Sequence, residues 1–185
     1  MSDTTVNTAK TAGGKQFSGK VWKFGDDIDT DLIIPGFALY LPKADQLKAC
    51  MSANRPGWSD MVEPGDVLLA GTNFGVGSGR WIGDTFRWLG IVGIIAESFN
   101  GLGMRNCINV GLPVLPCKGI LDIFEEGKVV EADWGTGEVK NVDTGATLTG
   151  QPVPDFLQDI IGGGGVEEML AKEGYISGKR VFGED

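Results

Sequence analysis

A wholly apolar run, Val67-Leu-Leu-Ala70, leads directly into a glycine-rich loop, Gly71-Thr-Asn-Phe-Gly-Val-Gly-Ser-Gly-Arg80, and the segment from Trp81 to Leu89 that follows can form a helix. A strand covered on both faces reads as a short continuous apolar run. The order strand, loop, helix is therefore the opening of a parallel β–α unit. The pattern recurs. Ile91 to Ala96 reads as a second buried strand, Ser98 to Val110 as a helix ending at Gly111, and Leu112 to Leu115 as a third strand. Strands alternating with helices predict an α/β fold with helices packed on a parallel sheet.

The loop also carries chemistry. Glycines expose backbone N–H groups and let another molecule approach closely. A helix N-terminus adds a partial positive charge, and the two together favour an anion. Ser78 presents a hydroxyl there and Arg80 a guanidinium, which grips a carboxylate through two parallel hydrogen bonds. A serine beside a carboxylate grip points to chemistry on a small organic acid. Read alone, Ser78 would be a helix N-cap and Arg80 a surface ion-pair residue.

Elsewhere the spacing predicts a strand over Lys20 to Phe24, then an acidic turn, Gly25-Asp-Asp-Ile-Asp-Thr-Asp-Leu-Ile-Ile-Pro35, that closes on apolar residues. Asp26, Asp27 and Asp29 are expected to cap turns. A short helix is predicted over Asp45 to Ser52, and Arg55-Pro-Gly-Trp58 and Glu63-Pro-Gly-Asp66 are turn signals. The second part changes character. Lys128 to Ala132, Glu138 to Val142 and Ala146 to Leu148 are short runs separated by glycine-containing turns, which predicts antiparallel hairpins. Helices are predicted over Pro154 to Ile161 and Val166 to Lys172, parted by the glycines 162–165.

Composition narrows the functions open to such a chain. Its 185 residues suit one domain, and the net charge of −9, with no basic stripe, argues against a nucleic-acid partner. An anionic substrate must be held by local groups and not by the overall field. No apolar stretch is long enough to cross a membrane. Residues 1–17 read as a disordered polar arm without the apolar centre of a secretory signal, leaving 18–185 as a single domain. Cys50, Cys107 and Cys117 are scattered, with no Cys-x-x-Cys spacing, so neither a disulfide framework nor a complete metal site is indicated. That usage fits a reducing, cytoplasmic setting. Histidine is absent, so any proton transfer needs another base or a partner chain.

Four stretches resemble the small subunit of 3-isopropylmalate dehydratase, equivalent to the swivelling C-terminal domain of aconitase. They are Gly25 to Pro35; Gly71 to Arg80; Ile95-Ala-Glu-Ser-Phe99 with Arg105-Asn-Cys-Ile-Asn109 and Gly111-Leu-Pro113; and Pro152-Val-Pro-Asp-Phe-Leu157. Their order and spacing cover nearly everything after the N-terminal arm. The resemblance implies a swivelling β/β/α domain with a mostly parallel core sheet and small antiparallel hairpins. It also implies a hydro-lyase of leucine biosynthesis that removes water from a hydroxy di-acid and restores it at the neighbouring carbon. The 4Fe–4S cluster is expected in a separate large subunit, with none bound by this chain. By the same resemblance Ser78, as alkoxide, is the base, and Arg80 binds substrate carboxylate. Asp31 comes from the family's Asp-Thr-Asp motif. Backbone N–H groups from Gly77 through Gly79 to Arg80, with the helix N-terminus, would stabilise the alkoxide.

The chain departs from the family pattern at three positions flanking Arg80. Where Gly-Ser-Ser-Arg-Glu-His is usual, this chain has Gly77-Ser-Gly-Arg80-Trp-Ile82. The second serine is Gly79, and Glu and His are Trp81 and Ile82. A charged residue usual after Ile-Ile-Pro is Phe37 here, within Gly36-Phe-Ala-Leu-Tyr-Leu41. In the family those residues read the substrate's variable substituent, so Leu39 and Tyr40 predict an alkyl or aryl group on a malate frame. Two other readings stand beside this one: a catalytically silent partner subunit, favoured by the lost Glu-His pair, and a stand-alone phosphate or nucleotide module. The second lacks a Gly-Lys-Ser/Thr ending or a Gly-x-Gly-x-x-Gly fingerprint.

Overall fold

The computed structural model describes residues 14–177. The first thirteen residues of the expected N-terminal arm lie outside that range, but its end does not. Strand β1 spans Gln16–Lys23 and begins before the expected Lys20. Phe17 is buried, and its ring packs where a side chain on Gly93 would otherwise sit, which recruits the end of the arm into the sheet.

Among the described residues, seven strands form one sheet in the order β4-β3-β2-β1-β5-β6-β7. Strands β2 (Val67–Ala70), β3 (Gly93–Ala96) and β4 (Val114–Pro116) run parallel to one another and to β1. Strands β5 (Val129–Asp133), β6 (Glu138–Asn141) and β7 (Thr147–Thr149) continue antiparallel from the other side of β1. The sheet is thus mixed, and the expected hairpins belong to it instead of forming a separate layer.

Burial follows pairing. Every residue of β2 and β3 is buried, as strands covered on both faces require. In β5 and β6 buried and exposed residues alternate, because one face meets water. Strand β1 joins the two regimes: Gln16 to Lys20 pair with β5, and Val21 to Lys23 pair with β2.

Helix α1 is a single turn, Thr30–Ile33, and α2 spans Lys43–Ala49. Helix α3, Ile82–Leu89, ends on Gly90 in the left-handed conformation, whose N–H caps the carbonyls of Phe86 and Arg87. Helix α4, Gly101–Asn109, is capped by the Asn100 side chain, which accepts the Leu102 N–H at 3.0 Å. Helices α5 (Asp155–Gly162) and α6 (Val166–Lys172) follow the predicted spacing. Trp58 anchors the core and meets Trp22, Phe24 and Phe86 edge-on. The Trp22 indole N–H donates to buried Asp66 at 2.6 Å, so that ring's polar atom is satisfied.

Two predictions follow from this packing. A Cβ at Gly19 would lie 1.9 Å from the Gly65 carbonyl oxygen, so Gly19→Ala should force the backbone apart and cost about 1–3 kcal/mol in urea unfolding. Gly25→Ala, with nothing near the added methyl, should change stability by less than about 0.5 kcal/mol. Equal losses for the two variants would mean that the β1 crossing is not the tight point. The second prediction concerns the thiols. Cys50, Cys107 and Cys117 are free and buried. Burial raises all three, to about 12 for Cys107 and about 11 for Cys117. A disulfide reagent at neutral pH should therefore leave the native chain unmodified and label every thiol once it is denatured. Rapid labelling of the native chain would contradict the packing.

Candidate active site

The parallel arrangement brings the C-terminal ends of β1, β2 and β3 to one edge of the sheet. The segments leaving them run side by side. Gly71 N–H donates to Gly25 O at 3.0 Å, Asp27 N–H to Thr72 O at 2.9 Å, Gly75 N–H to Ile28 O at 2.8 Å and Thr30 N–H to Val76 O at 2.8 Å. On the other side Phe74 N–H donates to Ser98 O at 3.0 Å and Asn100 N–H to Phe74 O at 2.8 Å. The glycine-rich loop thus lies between two others and is laced to both by main chain.

The acidic turn uses its carboxylates locally. Asp29 caps α1 by accepting the Leu32 N–H at 2.7 Å, and Asp26 accepts the Thr72 N–H at 2.6 Å. The Thr72 hydrogen bond holds Asp26 below the usual carboxylate range. Asp27 accepts from the Asn73 amide at 2.8 Å. Of the three expected turn caps, Asp29 caps its own segment, whereas Asp26 and Asp27 tie the acidic turn to the glycine-rich loop, one through main chain and one side chain to side chain.

Ser78 lies on the exposed crest of the loop with Gly77 and Gly79. Its N–H donates to Thr30 Oγ1 at 2.9 Å, and its own Oγ lies 3.4 Å from that same oxygen. Ser78 is not an N-cap: α3 starts at Ile82, and its cap residue is Trp81 without a side-chain hydrogen bond. This corrects part of the expected anion cradle. The Ser78 N–H is taken by Thr30, and the Arg80 N–H donates to Ser78 O at 2.8 Å. The helix terminus lies beyond the loop's crest, and its field fades within a turn. Gly79 has no atom within 4 Å of where a Cβ would point, so the position of the family's second serine is open space here.

Arg80 is pinned. Its Nη1 donates to Thr30 O at 3.2 Å and also to Ile34 O, and Nη2 pairs with Asp31. The arginine side chain is 13% exposed and the aspartate 64%, so Asp31 sits on the solvent side of a largely enclosed guanidinium. The structure thus brings Asp31, Ser78 and Arg80 together around α1. The Arg80 carbonyl accepts the Asn106 side-chain amide at 2.8 Å, and Asn106 Oδ1 accepts the Gly83 N–H at 2.8 Å. Asn106 is scaffold, fixing the turn from loop into α3.

Leu39 and Tyr40 fall in a 3₁₀ turn, Gly36–Tyr40. Leu39 packs partly against the core, whereas Phe37 and Tyr40 are exposed. Gln46 joins this segment to the loop: its amide donates to Leu41 O at 2.7 Å, and its oxygen accepts the Trp81 indole N–H at 3.2 Å. Lys43, the first cation after Pro35, lies 3.8 Å over the Trp88 ring. Thr30 and Gln46 escaped the sequence reading. Thr30 stood between two quoted aspartates, and nothing in sequence marked Gln46.

Among the described residues, no three His, Cys, Asp or Glu side chains gather as a metal site. Cys50, Cys107 and Cys117 do not gather at one place, whereas a cluster is held by cysteine thiolates converging on it. The residues of this chain do not fit an iron–sulfur cluster.

No protein-family model matches the chain. Curated relatives do. The isopropylmalate/citramalate isomerase small subunit of Methanocaldococcus jannaschii is 42% identical over 157 residues, covering 84% of this chain and 94% of that one. The 3-isopropylmalate dehydratase small subunit 1 of Methanopyrus kandleri is 42% identical over 158 residues, covering 84% and 93%. A crystal structure of 3-isopropylmalate dehydratase from Methanocaldococcus jannaschii superposes with a TM-score of 0.80 at 33% identity, covering 86% of this chain and 96% of that one. With that identity along nearly the whole length of its relatives, and with the same fold, the chain belongs to the family of 3-isopropylmalate dehydratase small subunits.

Proposed function

We propose that this chain is the small subunit of a cytoplasmic, heteromeric hydro-lyase of the 3-isopropylmalate dehydratase type. It acts only with a large subunit that carries the 4Fe–4S cluster. Its substrate is a malate-type hydroxy di-acid bearing an alkyl or aryl group. The observation that carries this reading is an exposed hydroxyl, Ser78, two residues from a guanidinium, Arg80, on a loop locked by neighbouring backbone.

Ser78 is the base. As alkoxide, its Oγ takes the proton from the carbon next to a substrate carboxylate. The C–H electron pair becomes the new double bond as hydroxide leaves the neighbouring carbon. In the hydration direction Ser78 returns the proton. Arg80 holds a substrate carboxylate, for which exposed Asp31 is the resident stand-in on the same guanidinium. Gly77 and Gly79 let substrate approach the loop without side chains in the way.

The substituent is received by Leu39, Tyr40 and neighbouring Phe37, which Gln46 ties to Trp81 beside the loop. An extra carboxylate against that apolar segment would lose water without gaining a partner, because Lys43 is engaged with Trp88. An alkyl group would gain roughly 0.8 kcal/mol per buried CH₂. Isopropylmalate and citramalate, which appear in the relatives' names, are both malates carrying an alkyl group.

In the enzyme assembled with its cognate large subunit, Ser78→Ala should abolish turnover and leave the substrate Kd, measured by equilibrium binding, within a few-fold of wild type. Arg80→Lys should raise KM and lower Tm, since a point charge cannot replace a fork that also holds Thr30 and Ile34. Near-normal turnover by Ser78→Ala would remove the base assignment. Failure of the wild-type pair to turn over any hydroxy acid would favour the silent-partner reading. Substrate class is tested by kcat/KM for alkylmalates against citrate and homoisocitrate, with the alkylmalates expected to win.

A further inference from the structure

The Ser78 hydroxyl is not alone at the crest of the loop. Thr30 is 1% exposed, and its backbone is held at both ends. Its N–H donates to Val76 O at 2.8 Å, while its carbonyl accepts from Ile34 N–H at 3.0 Å and from Arg80 Nη1 at 3.2 Å. A β-branched side chain on a fixed backbone has few rotamers, so the direction of Oγ1 is set. Gly77 encloses the same oxygen: a Cβ there would lie 2.5 Å from Thr30 Oγ1. The hydroxyl therefore sits in a pocket of main chain, with Ser78 as its polar neighbour.

A threonine hydroxyl accepts through its lone pairs and donates one proton. The accepting side is used by the Ser78 N–H at 2.9 Å. A side-chain oxygen within reach of the remaining proton is Ser78 Oγ at 3.4 Å. That separation is long for a resting pair of neutral hydroxyls. Hydrogen bonds to a charged acceptor are shorter and roughly twice as strong, and catalytic contacts often tighten only when charge develops.

We propose that Thr30 is the positioning residue for Ser78: its hydroxyl holds the Ser78 amide and donates its own proton to Ser78 Oγ when that oxygen is an alkoxide. The inference rests on the proposed role of Ser78 as base. It assigns to Thr30 part of the stabilisation expected from the loop's N–H groups, two of which are already engaged. A donor to the charged form favours that form, so removing it makes the alkoxide harder to reach. If turnover needs the alkoxide, the rising limb of the kcat–pH profile then moves to higher pH.

The test uses the two-subunit enzyme with 3-isopropylmalate, following the unsaturated di-acid by its ultraviolet absorbance across pH. Thr30→Val, which fills the space without a hydroxyl, should lower kcat at neutral pH by about ten-fold or more and leave KM within about two-fold, as for loss of an anion-stabilising donor. Its rising limb should shift to higher pH, and Thr30→Ser should recover most of kcat and return the limb. Should Thr30→Val not assemble, Thr30→Cys gives the same readout, because a thiol donates only weakly. Wild-type kcat and pH profile in Thr30→Val or Thr30→Cys, or a rise in KM alone, overturns the inference while Ser78→Ala remains dead. Turnover by Ser78→Ala overturns the base reading itself, and Thr30's role falls with it.

Discussion

Strand β1 must serve two partners that run in opposite directions, and the site is a consequence of that constraint. Gln16 to Lys20 pair antiparallel with β5, and Val21 to Lys23 pair parallel with β2. Gly19 sits near the change of partner, where the Gly65 carbonyl approaches too closely for any side chain. Because the second half of β1 is parallel to β2, both strands deliver their loops to the same edge. The acidic turn and the glycine-rich loop then continue as neighbours, with Asp29 bridging to Val76 and Phe74 to Phe99. An antiparallel β1–β2 pair would have sent Thr30 and Ser78 to opposite ends of the sheet.

The electrostatics of the site are local. The chain carries a net charge of −9, yet the loop around Arg80 is expected to receive an anion. Carboxylates nearest the loop are committed to hydrogen bonds: Asp26 to the Thr72 N–H, Asp29 to the Leu32 N–H and Asp27 to the Asn73 amide. A carboxylate that caps an amide is stabilised where it sits and is a weaker competitor for an arginine. Asp31 differs, being mostly exposed and paired with Arg80. That pair contributes little to folding, since the exposed partner is well solvated. The carbonyls of Thr30 and Ile34 hold the guanidinium independently of it.

The departures from the family's loop pattern have structural counterparts. Ile82, where a histidine is usual, is fully buried and belongs to the core. Trp81, where a glutamate is usual, lies at the rim and reaches Gln46 on α2. Gly79 leaves unfilled space beside Ser78. A polar pair has thus given way to one core residue and one aromatic residue at the rim.

The patterns that depend on nearest neighbours along the chain were legible without any structure. The apolar runs of β2 and β3, the glycines ending α3 and α5, and the alternation of β5 and β6 each follow from local burial and turn chemistry. So did the pairing of Ser78 with Arg80, because two residues apart on one loop are close in any fold. What the sequence could not decide was anything set by pairing across long separations. It did not place Phe17 in the sheet or join the hairpins to β1. Nor did it bring Thr30 to Ser78, 48 positions away along the chain. Periodicity along a chain reports which face of an element is buried, but not which distant element covers it. The closeness of Ser78 to Arg80 was written in the sequence, and the choice of Thr30 as neighbour of Ser78 was made by the order of strands in the sheet.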